Sequence, residues 1–120
     1  MSKRLKKEVN YWMGVPYKYA GTDRSGVDCS SLVAEIYRSV YGIVLPRTSG
    51  QQYAVCRKVT AAKLKEGDLV FFNPGTKTIS HVGIFLGEQK FIHASVSKGV
   101  VISNLDNSYY KKYFVSGGRF

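Results

Sequence analysis

The sequence predicts an α+β fold, with N-terminal helices packed on a mainly antiparallel sheet of five or six strands. Helical spacing of apolar residues dominates the first half of the chain, and short strand-like runs dominate the second half. The turns between those runs are short, which favours antiparallel pairing. The chain has 120 residues, of which 44% are hydrophobic and 22% charged. That composition is typical of one globular domain, here residues 1–120.

The segment after Asp28 predicts the helix on which the functional argument depends. Asp28 suits the N-cap position and Gly42 the C-cap position, so the helix should begin within a residue of Cys29 and end at Tyr41. Its apolar residues recur with helical spacing at Leu32, Val33, Ile36, Tyr37, Val40 and Tyr41.

Shorter elements complete the prediction. Glycine, proline and asparagine mark the turns between them. Helices are expected at residues 3–13 and 48–55, a loop at 14–28, and strands at 68–72, 81–86, 91–95, 100–102 and 113–115.

The charge balance is strongly basic. Lys and Arg total 18 against 8 Asp and Glu, a formal net charge of +10. Such an excess favours polyanionic partners, including nucleic acid, anionic lipid surfaces and acidic wall polymers. Zinc-finger spacing and aromatic RNA-binding motifs are absent from the sequence, so nucleic acid is not predicted as a partner.

Neither a membrane span nor an export signal is predicted. The sequence has no apolar run long enough to cross a bilayer. Its basic start continues into Glu8 and Asn10, where a signal peptide would need an apolar core.

Cys29 is the first candidate for chemistry. A thiol in the first turn of a helix lies near unpaired backbone amides and the positive end of the helix dipole, which stabilise a thiolate. The same amides can hold the oxyanion that forms when a thiolate attacks a carbonyl. Cys29 is therefore a candidate nucleophile.

The two histidines lie on consecutive predicted strands joined by a tight turn at Gly87. Counted from that turn, His81 and His93 have the same parity and are about two positions out of register, so they can be diagonal neighbours on one face. A cysteine, a base and a group that orients the base form the triad of nucleophilic catalysis. Purely structural histidines are the alternative.

A zinc site is a further alternative on ligand types. Cys29, Cys56, His81 and His93 could supply four ligands, but structural zinc sites usually bring closely spaced pairs, which this sequence lacks. No metal is therefore expected. Cys56 is expected to be a small buried residue that forms no disulfide with Cys29.

Several motifs occur together in a characteristic order and spacing. They are residues 14–17 (Gly-Val-Pro-Tyr), 28–30 (Asp-Cys-Ser), 45–49 (Leu-Pro-Arg-Thr-Ser), 67–72 (Gly-Asp-Leu-Val-Phe-Phe), 81–84 (His-Val-Gly-Ile) and 91–94 (Phe-Ile-His-Ala). With them the chain resembles the NlpC/p60 family of papain-like cell-wall cysteine peptidases. Residues 97–100 and 103–109 are similar to the small lipoprotein branch of that family.

The resemblance implies a papain-like fold and a peptidoglycan endopeptidase that hydrolyses an amide bond in the stem peptide. It implies that Cys29 is the nucleophile, His81 the general base and His93 the residue that orients the base. It implies that Tyr17 lies beside the oxyanion. Contacts with the stem peptide are expected from four polar residues: Asp28, Ser30, Arg47 and Ser80.

The chain departs from the family pattern in a few places. Ser31 replaces the usual glycine of the cysteine motif, and Ala20-Gly21 stands where the family has two glycines. The lipoprotein branch also has an export signal and a lipidated cysteine, which this sequence does not show.

The resemblance implies no cofactor, a monomer and a location in the cell envelope or periplasm, with a lipoprotein as the full-length form. Two alternatives stay open: an amidase or acyltransferase on the same cysteine–histidine scaffold, and a non-catalytic wall-binding module.

Overall fold

The computed structural model describes residues 1–75 and 77–120. Within these residues there are four α-helices: α1 (Lys3–Trp12), α2 (Cys29–Tyr41), α3 (Ser49–Val55) and α4 (Ser108–Tyr113). Eight strands accompany them: β1 (Thr22–Asp23), β2 (Gly26–Val27), β3 (Arg57–Val59), β4 (Leu69–Phe72), β5 (His81–Gly87), β6 (Lys90–Ser95), β7 (Gly99–Asn104) and β8 (Phe114–Arg119).

Six of the described strands form one sheet with the order β3-β8-β4-β5-β6-β7. Every pairing in it is antiparallel. Strands β4 to β7 are neighbours in the sheet in the order in which they occur along the chain. Short turns join β5 to β6 and β6 to β7, as antiparallel pairing permits. The predicted α+β class, with helices before a mainly antiparallel sheet, is confirmed.

Helix α2 begins and ends where the sequence predicts. The Asp28 carboxylate accepts a hydrogen bond from the Ser31 amide, 2.9 Å away, and the Ser31 hydroxyl accepts one from the Asp28 amide, 3.2 Å away. The two bonds form a capping box, which satisfies two backbone donors that a helix start leaves unpaired. Gly42 ends the helix in the left-handed conformation, with φ 67°.

The C-terminal part of the chain differs from the prediction. Tyr113 ends helix α4, which the sequence analysis missed, and the last strand runs from Phe114 to Arg119. Gly117 and Gly118 are typical of a loop, yet they are paired with β3 on one side and β4 on the other. Strand β3 and the strands β1 and β2 inside the predicted 14–28 loop were also missed.

The two faces of the sheet have different coverings. One face contributes apolar residues to a core shared with α1 and α2: Leu69, Phe71, Val82, Ile84, Ile92 and Ala94. The opposite face is aromatic and packs against Tyr110 of α4: Phe72, Phe85 and Phe91. Within residues 1–75 and 77–120, no helix is both long and apolar enough to cross a membrane.

Substituting alanine at two glycines should have opposite effects. A Cβ at Gly118 would lie 2.5 Å from Cys56 Sγ and 2.7 Å from Phe71 Cε2, both inside the core. We expect Gly118→Ala to lower the free energy of unfolding by about 1–3 kcal/mol. Gly50 is exposed in α3, and none of the described residues comes within 4 Å of its Cβ position, so Gly50→Ala should raise that free energy by about 0.5 kcal/mol. Urea unfolding of both variants measures the difference, and equal effects would contradict this account of the core.

Candidate active site

The two histidines form a hydrogen-bonded pair on the aromatic face of the sheet. Because Ile84 faces Ile92 across β5 and β6, the register places His81 two positions from the residue opposite His93. His81 Nε2 lies 2.8 Å from His93 Nδ1. The diagonal placement inferred from the Gly87 turn is therefore confirmed.

Gly83 provides the space in which this pair packs. A Cβ at Gly83 would lie 2.7 Å from the Ile92 carbonyl oxygen, 2.9 Å from Phe91 Cδ2 and 3.2 Å from His93 Cβ. Any larger residue would therefore displace the strand that carries His93. This contact is a physical reason for the glycine in the His-Val-Gly motif.

Two residues that the sequence analysis did not identify complete the environment of His93. Ser103 Oγ lies 2.8 Å from His93 Nε2. The Tyr110 ring packs edge-on against the His93 ring, with centroids 5.3 Å apart. Ser103 lay beyond the predicted end of its strand, and α4 was not predicted, so neither contact was foreseen. A longer β7 would have placed Ser103 on the same face as His93 by strand parity.

The thiol of Cys29 contacts the backbone at the beginning of β5, at the residues just before and just after His81. Its Sγ donates a long, weak hydrogen bond to the Ser80 carbonyl, 4.0 Å away, and accepts one from the Val82 amide. The amides of Cys29 and Ser30 at the start of α2 also donate to it. The structure thus places the predicted nucleophile against the backbone that flanks the predicted base.

Tyr17 is close enough to Cys29 for their charges to interact. Its backbone forms a parallel bridge with Val27, and the Lys18 amide donates to the Val27 carbonyl, 3.1 Å away. Burial, followed by the charges of Cys29 and Asp28, raises the pKa of the Tyr17 phenol. Tyr17 therefore stays a protonated hydrogen-bond donor near the thiol.

The Asp28 carboxylate connects three segments of the chain. One oxygen accepts hydrogen bonds from the Ser31 amide and hydroxyl, at 2.9 and 2.8 Å. The other accepts from the Ala20 amide, 3.0 Å away, and forms an ion pair with Arg47 Nη2, 2.8 Å away. Burial alone would raise the pKa of Asp28, but the hydrogen bonds from Arg47 and Ser31 outweigh it and keep the pKa low.

The four residues expected to contact the stem peptide divide into two pairs. Asp28 and Ser30 are buried, and both are hydrogen-bonded to Arg47. Arg47 and Ser80 are exposed, so they can reach a ligand directly. An open cavity of about 440 Å³ next to the histidines includes Ser80 in its lining.

Burial keeps the proposed base and nucleophile neutral. It lowers the pKa of His81 to about 4. Burial, together with the charges of His81 and Lys98, lowers the pKa of His93 to about 3. The pKa of the Cys29 thiol is raised by burial and by the Asp28 charge, although nearby amides lower it. The lowered thiol pKa suggested by the helix position is therefore outweighed by desolvation in the unliganded protein.

Cys56 lies outside this cluster. It is a buried free thiol, and its Sγ is 3.8 Å from Lys58 Nζ. Cys29 is also a free thiol. In the part of the chain that the structure describes, no three His, Cys, Asp or Glu residues are grouped so that they could hold a metal ion.

Comparison with known families identifies the fold. The sequence profile of the NlpC/P60 family matches residues 14–119. The chain belongs to the NlpC/P60 family. The match includes Tyr17, Cys29, Arg47 and both histidines of the site.

Curated relatives of this NlpC/P60 chain include two named endopeptidases. It is 38% identical over 117 residues to "Probable endopeptidase NlpC homolog" of Haemophilus influenzae, covering 98% of this chain and 62% of that protein. It is 38% identical over 114 residues to "Murein DD-endopeptidase MepS/Murein LD-carboxypeptidase" of Escherichia coli K12, covering 95% of this chain and 60% of that protein. The chain thus spans about three fifths of the length of these relatives.

Solved structures similar to this NlpC/P60 chain include an NlpC/P60 family protein from Bacillus cereus. The TM-score is 0.89 at 32% identity, covering 98% of this chain and 39% of that one. RipD of Mycobacterium tuberculosis, described as a non-catalytic NlpC/p60 domain protein adapted to peptidoglycan binding, matches with a TM-score of 0.78 at 26% identity, covering 99% of this chain and 98% of that one. The same fold therefore occurs in a protein described as non-catalytic.

Changing Asp28 should separate its capping role from its ion pair. Asp28→Ala removes both, and we expect a loss of about 2 kcal/mol in the free energy of unfolding. Asp28→Asn keeps an oxygen for the N-cap, so its loss should be about 1 kcal/mol smaller. Urea unfolding measures both, with the exposed Asp23→Asn as a charge-matched control. Equal losses from the two Asp28 variants would contradict a capping contribution.

The buried His93 and the half-buried His81 should make stability depend on pH. Their folded pKa values of about 4 and about 3 lie below the ordinary 6.5, so between pH 6.5 and 4 the unfolded chain binds more protons than the folded one. Stability should be complete above pH 6.5 and fall as the pH decreases, by up to about 1.4 kcal/mol per pH unit for each histidine. His93→Gln should roughly halve that slope in urea titrations. An unchanged slope would show that His93 is not the buried neutral group described here.

Proposed function

We propose that this chain is the catalytic domain, residues 1–120, of a peptidoglycan hydrolase: a cysteine endopeptidase that cleaves an amide bond in the stem peptide. One observation supports it above the others. The Cys29 thiol lies against the backbone on both sides of His81, and His81 is hydrogen-bonded to His93 at 2.8 Å. The murein endopeptidase name of a relative supports the substrate class.

In the proposed mechanism the proton moves from Cys29 to His81 as the substrate binds. His81 Nε2 is occupied by His93, which leaves Nδ1 as the nitrogen that takes the thiol proton. The amides of Cys29, Ser30 and Val82 stabilise the thiolate as it forms and so offset part of the effect of burial. The pair, neutral in the free protein, carries charge only as the sulfur attacks the substrate.

The thiolate then attacks the amide carbonyl and forms a carbon–sulfur bond. The negative charge on the carbonyl oxygen is held by the Cys29 amide and by the Tyr17 hydroxyl, whose raised pKa keeps it a donor. His81 protonates the leaving amine as the carbon–nitrogen bond breaks. Water, deprotonated by His81, hydrolyses the thioester and restores the thiol. No step in this scheme requires a metal or an organic cofactor.

The polar residues around Cys29 have two proposed roles. Asp28 and Ser30, which are buried, hold Arg47 in place, and Arg47 and Ser80 contact the stem peptide directly. This division follows the exposure of the four side chains. We also propose that the protein acts in the cell envelope as a monomer, with its net charge of +10 favouring anionic wall polymers.

A non-catalytic wall-binding module is the second candidate, because RipD is described as such on the same fold. Cys29, His81 and His93 are all present here. The Cys29 thiol contacts the backbone beside His81, and the two histidines are hydrogen-bonded to each other, which favours catalysis. An amidase or acyltransferase would use the same groups and differ in the bond cleaved or in the acceptor.

Cys29→Ala should abolish cleavage of purified peptidoglycan fragments, measured by mass spectrometry of the products. We expect a rate loss of more than ~10³-fold, since the attacking atom is removed. Cys56→Ser is the matched control and should cleave at the wild-type rate, because Cys56 lies outside the cluster. The product masses identify the bond.

Two results would contradict the proposal. Equal cleavage by wild type and Cys29→Ala would exclude Cys29 as the nucleophile. Fragments that bind to the wild type and stay intact would support the wall-binding module instead.

A further inference from the structure

The hydrogen-bond chain that starts at His81 continues beyond His93. His93 Nδ1 lies 2.8 Å from His81 Nε2, and His93 Nε2 lies 2.8 Å from Ser103 Oγ. The His93 side chain is 1% exposed, so bulk water does not reach its ring. The partner of each ring nitrogen therefore decides which nitrogen carries the proton.

We propose that Ser103 is a positioning residue that fixes the His93 tautomer and thereby keeps His81 Nδ1 free to accept a proton. The inference rests on the proposed function, in which His81 is the general base. It assigns a role to a residue that touches neither the thiol nor the scissile bond.

The direction of the hydrogen bonds determines whether His81 can act as a base. If His93 Nε2–H donates to the Ser103 hydroxyl, His93 Nδ1 is an acceptor and His81 Nε2–H donates to it. Neutral His81 then has its lone pair on Nδ1, where it can accept the thiol proton. After that transfer every hydrogen bond in the chain keeps its direction, so no other group has to rearrange.

The reversed direction disables the base. If Ser103 donates to His93 Nε2, then His93 Nδ1–H donates to His81 Nε2, and neutral His81 carries its proton on Nδ1. That nitrogen has no lone pair for the thiol proton. A serine hydroxyl can donate or accept a hydrogen bond. The productive direction requires it to accept one from His93 Nε2–H.

The Ser103 hydroxyl lies where the buried imidazole can use it. Residue 103 is half-buried on the edge strand β7, directly opposite the buried Phe91 in the β6–β7 ladder. Its hydroxyl meets the buried His93 nitrogen. A hydroxyl at this position gives the His93 ring N–H an acceptor, and a buried N–H without a hydrogen-bond partner is costly.

Removing the hydroxyl should shift the His93 proton. In Ser103→Ala, an Nε2–H of His93 would be buried without an acceptor, whereas an Nδ1–H could still donate to His81. We expect ¹⁵N spectra of labelled histidine to show His93 protonated on Nε2 in the wild type and on Nδ1 in Ser103→Ala. This measurement is made on the free protein, so it does not depend on whether the protein cleaves peptidoglycan.

The kinetic consequence should appear in kcat. We expect Ser103→Ala to lower kcat by ~10- to 100-fold with KM within about twofold, because ground-state binding does not involve the tautomer. Ser103→Thr keeps the hydroxyl and should stay within about threefold of wild type. Ser116→Ala is the matched control, since it removes a strand hydroxyl bonded to backbone carbonyls away from the histidines.

The outcomes separate this inference from the proposed function. A wild-type protein that cleaves no peptidoglycan fragment contradicts the proposed function, while the spectra still test the role of Ser103. An active wild type with unchanged kcat and unchanged His93 protonation in Ser103→Ala overturns the inference. So does a Ser103→Thr variant as impaired as Ser103→Ala, because the hydroxyl would then not be the operative group.

Discussion

The carboxylate of Asp28 holds the start of α2, the loop after Tyr17 and the segment around Arg47 in one place. It does so by accepting hydrogen bonds from Ser31, Ala20 and Arg47. A buried carboxylate is costly unless it is paired, so these three segments cannot separate without leaving the charge without partners. The position of the thiol and of the Tyr17 phenol depends on this one group.

Burial also determines the protonation states of the two histidines and of the Cys29 thiol. The aromatic face of the sheet and Tyr110 of α4 pack on the histidine pair, and burial lowers the pKa of both imidazoles. The same desolvation raises the pKa of the thiol. The free protein therefore contains a neutral cysteine and neutral histidines. In the proposed mechanism, the hydrogen-bond directions within the pair determine whether His81 can accept the thiol proton, and the thiolate forms only as it attacks the substrate.

Local signals allowed much of the site to be predicted. Asp28 and Gly42 bounded α2 to the residue, since helix caps depend on nearby side chains and backbone angles. The parity of His81 and His93 about a tight turn placed them on one face, because strand geometry alternates with period two. Helix α4 was not predicted, because its six residues show little apolar periodicity. The extent of strand β8 was not predicted, because its Ser-Gly-Gly run is extended only through pairing with neighbouring strands.

The sequence by itself determined the α+β class, the helix that begins at Cys29 and the face shared by the two histidines, because these follow from local periodicity, helix caps and turns. Only the tertiary structure decided that Ser103 meets His93, that Asp28 is saturated by Ala20, Ser31 and Arg47, and that the histidines are neutral. The reason is physical. Desolvation and long-range hydrogen bonds depend on what packs around a group, and residues far apart in the chain supply that packing.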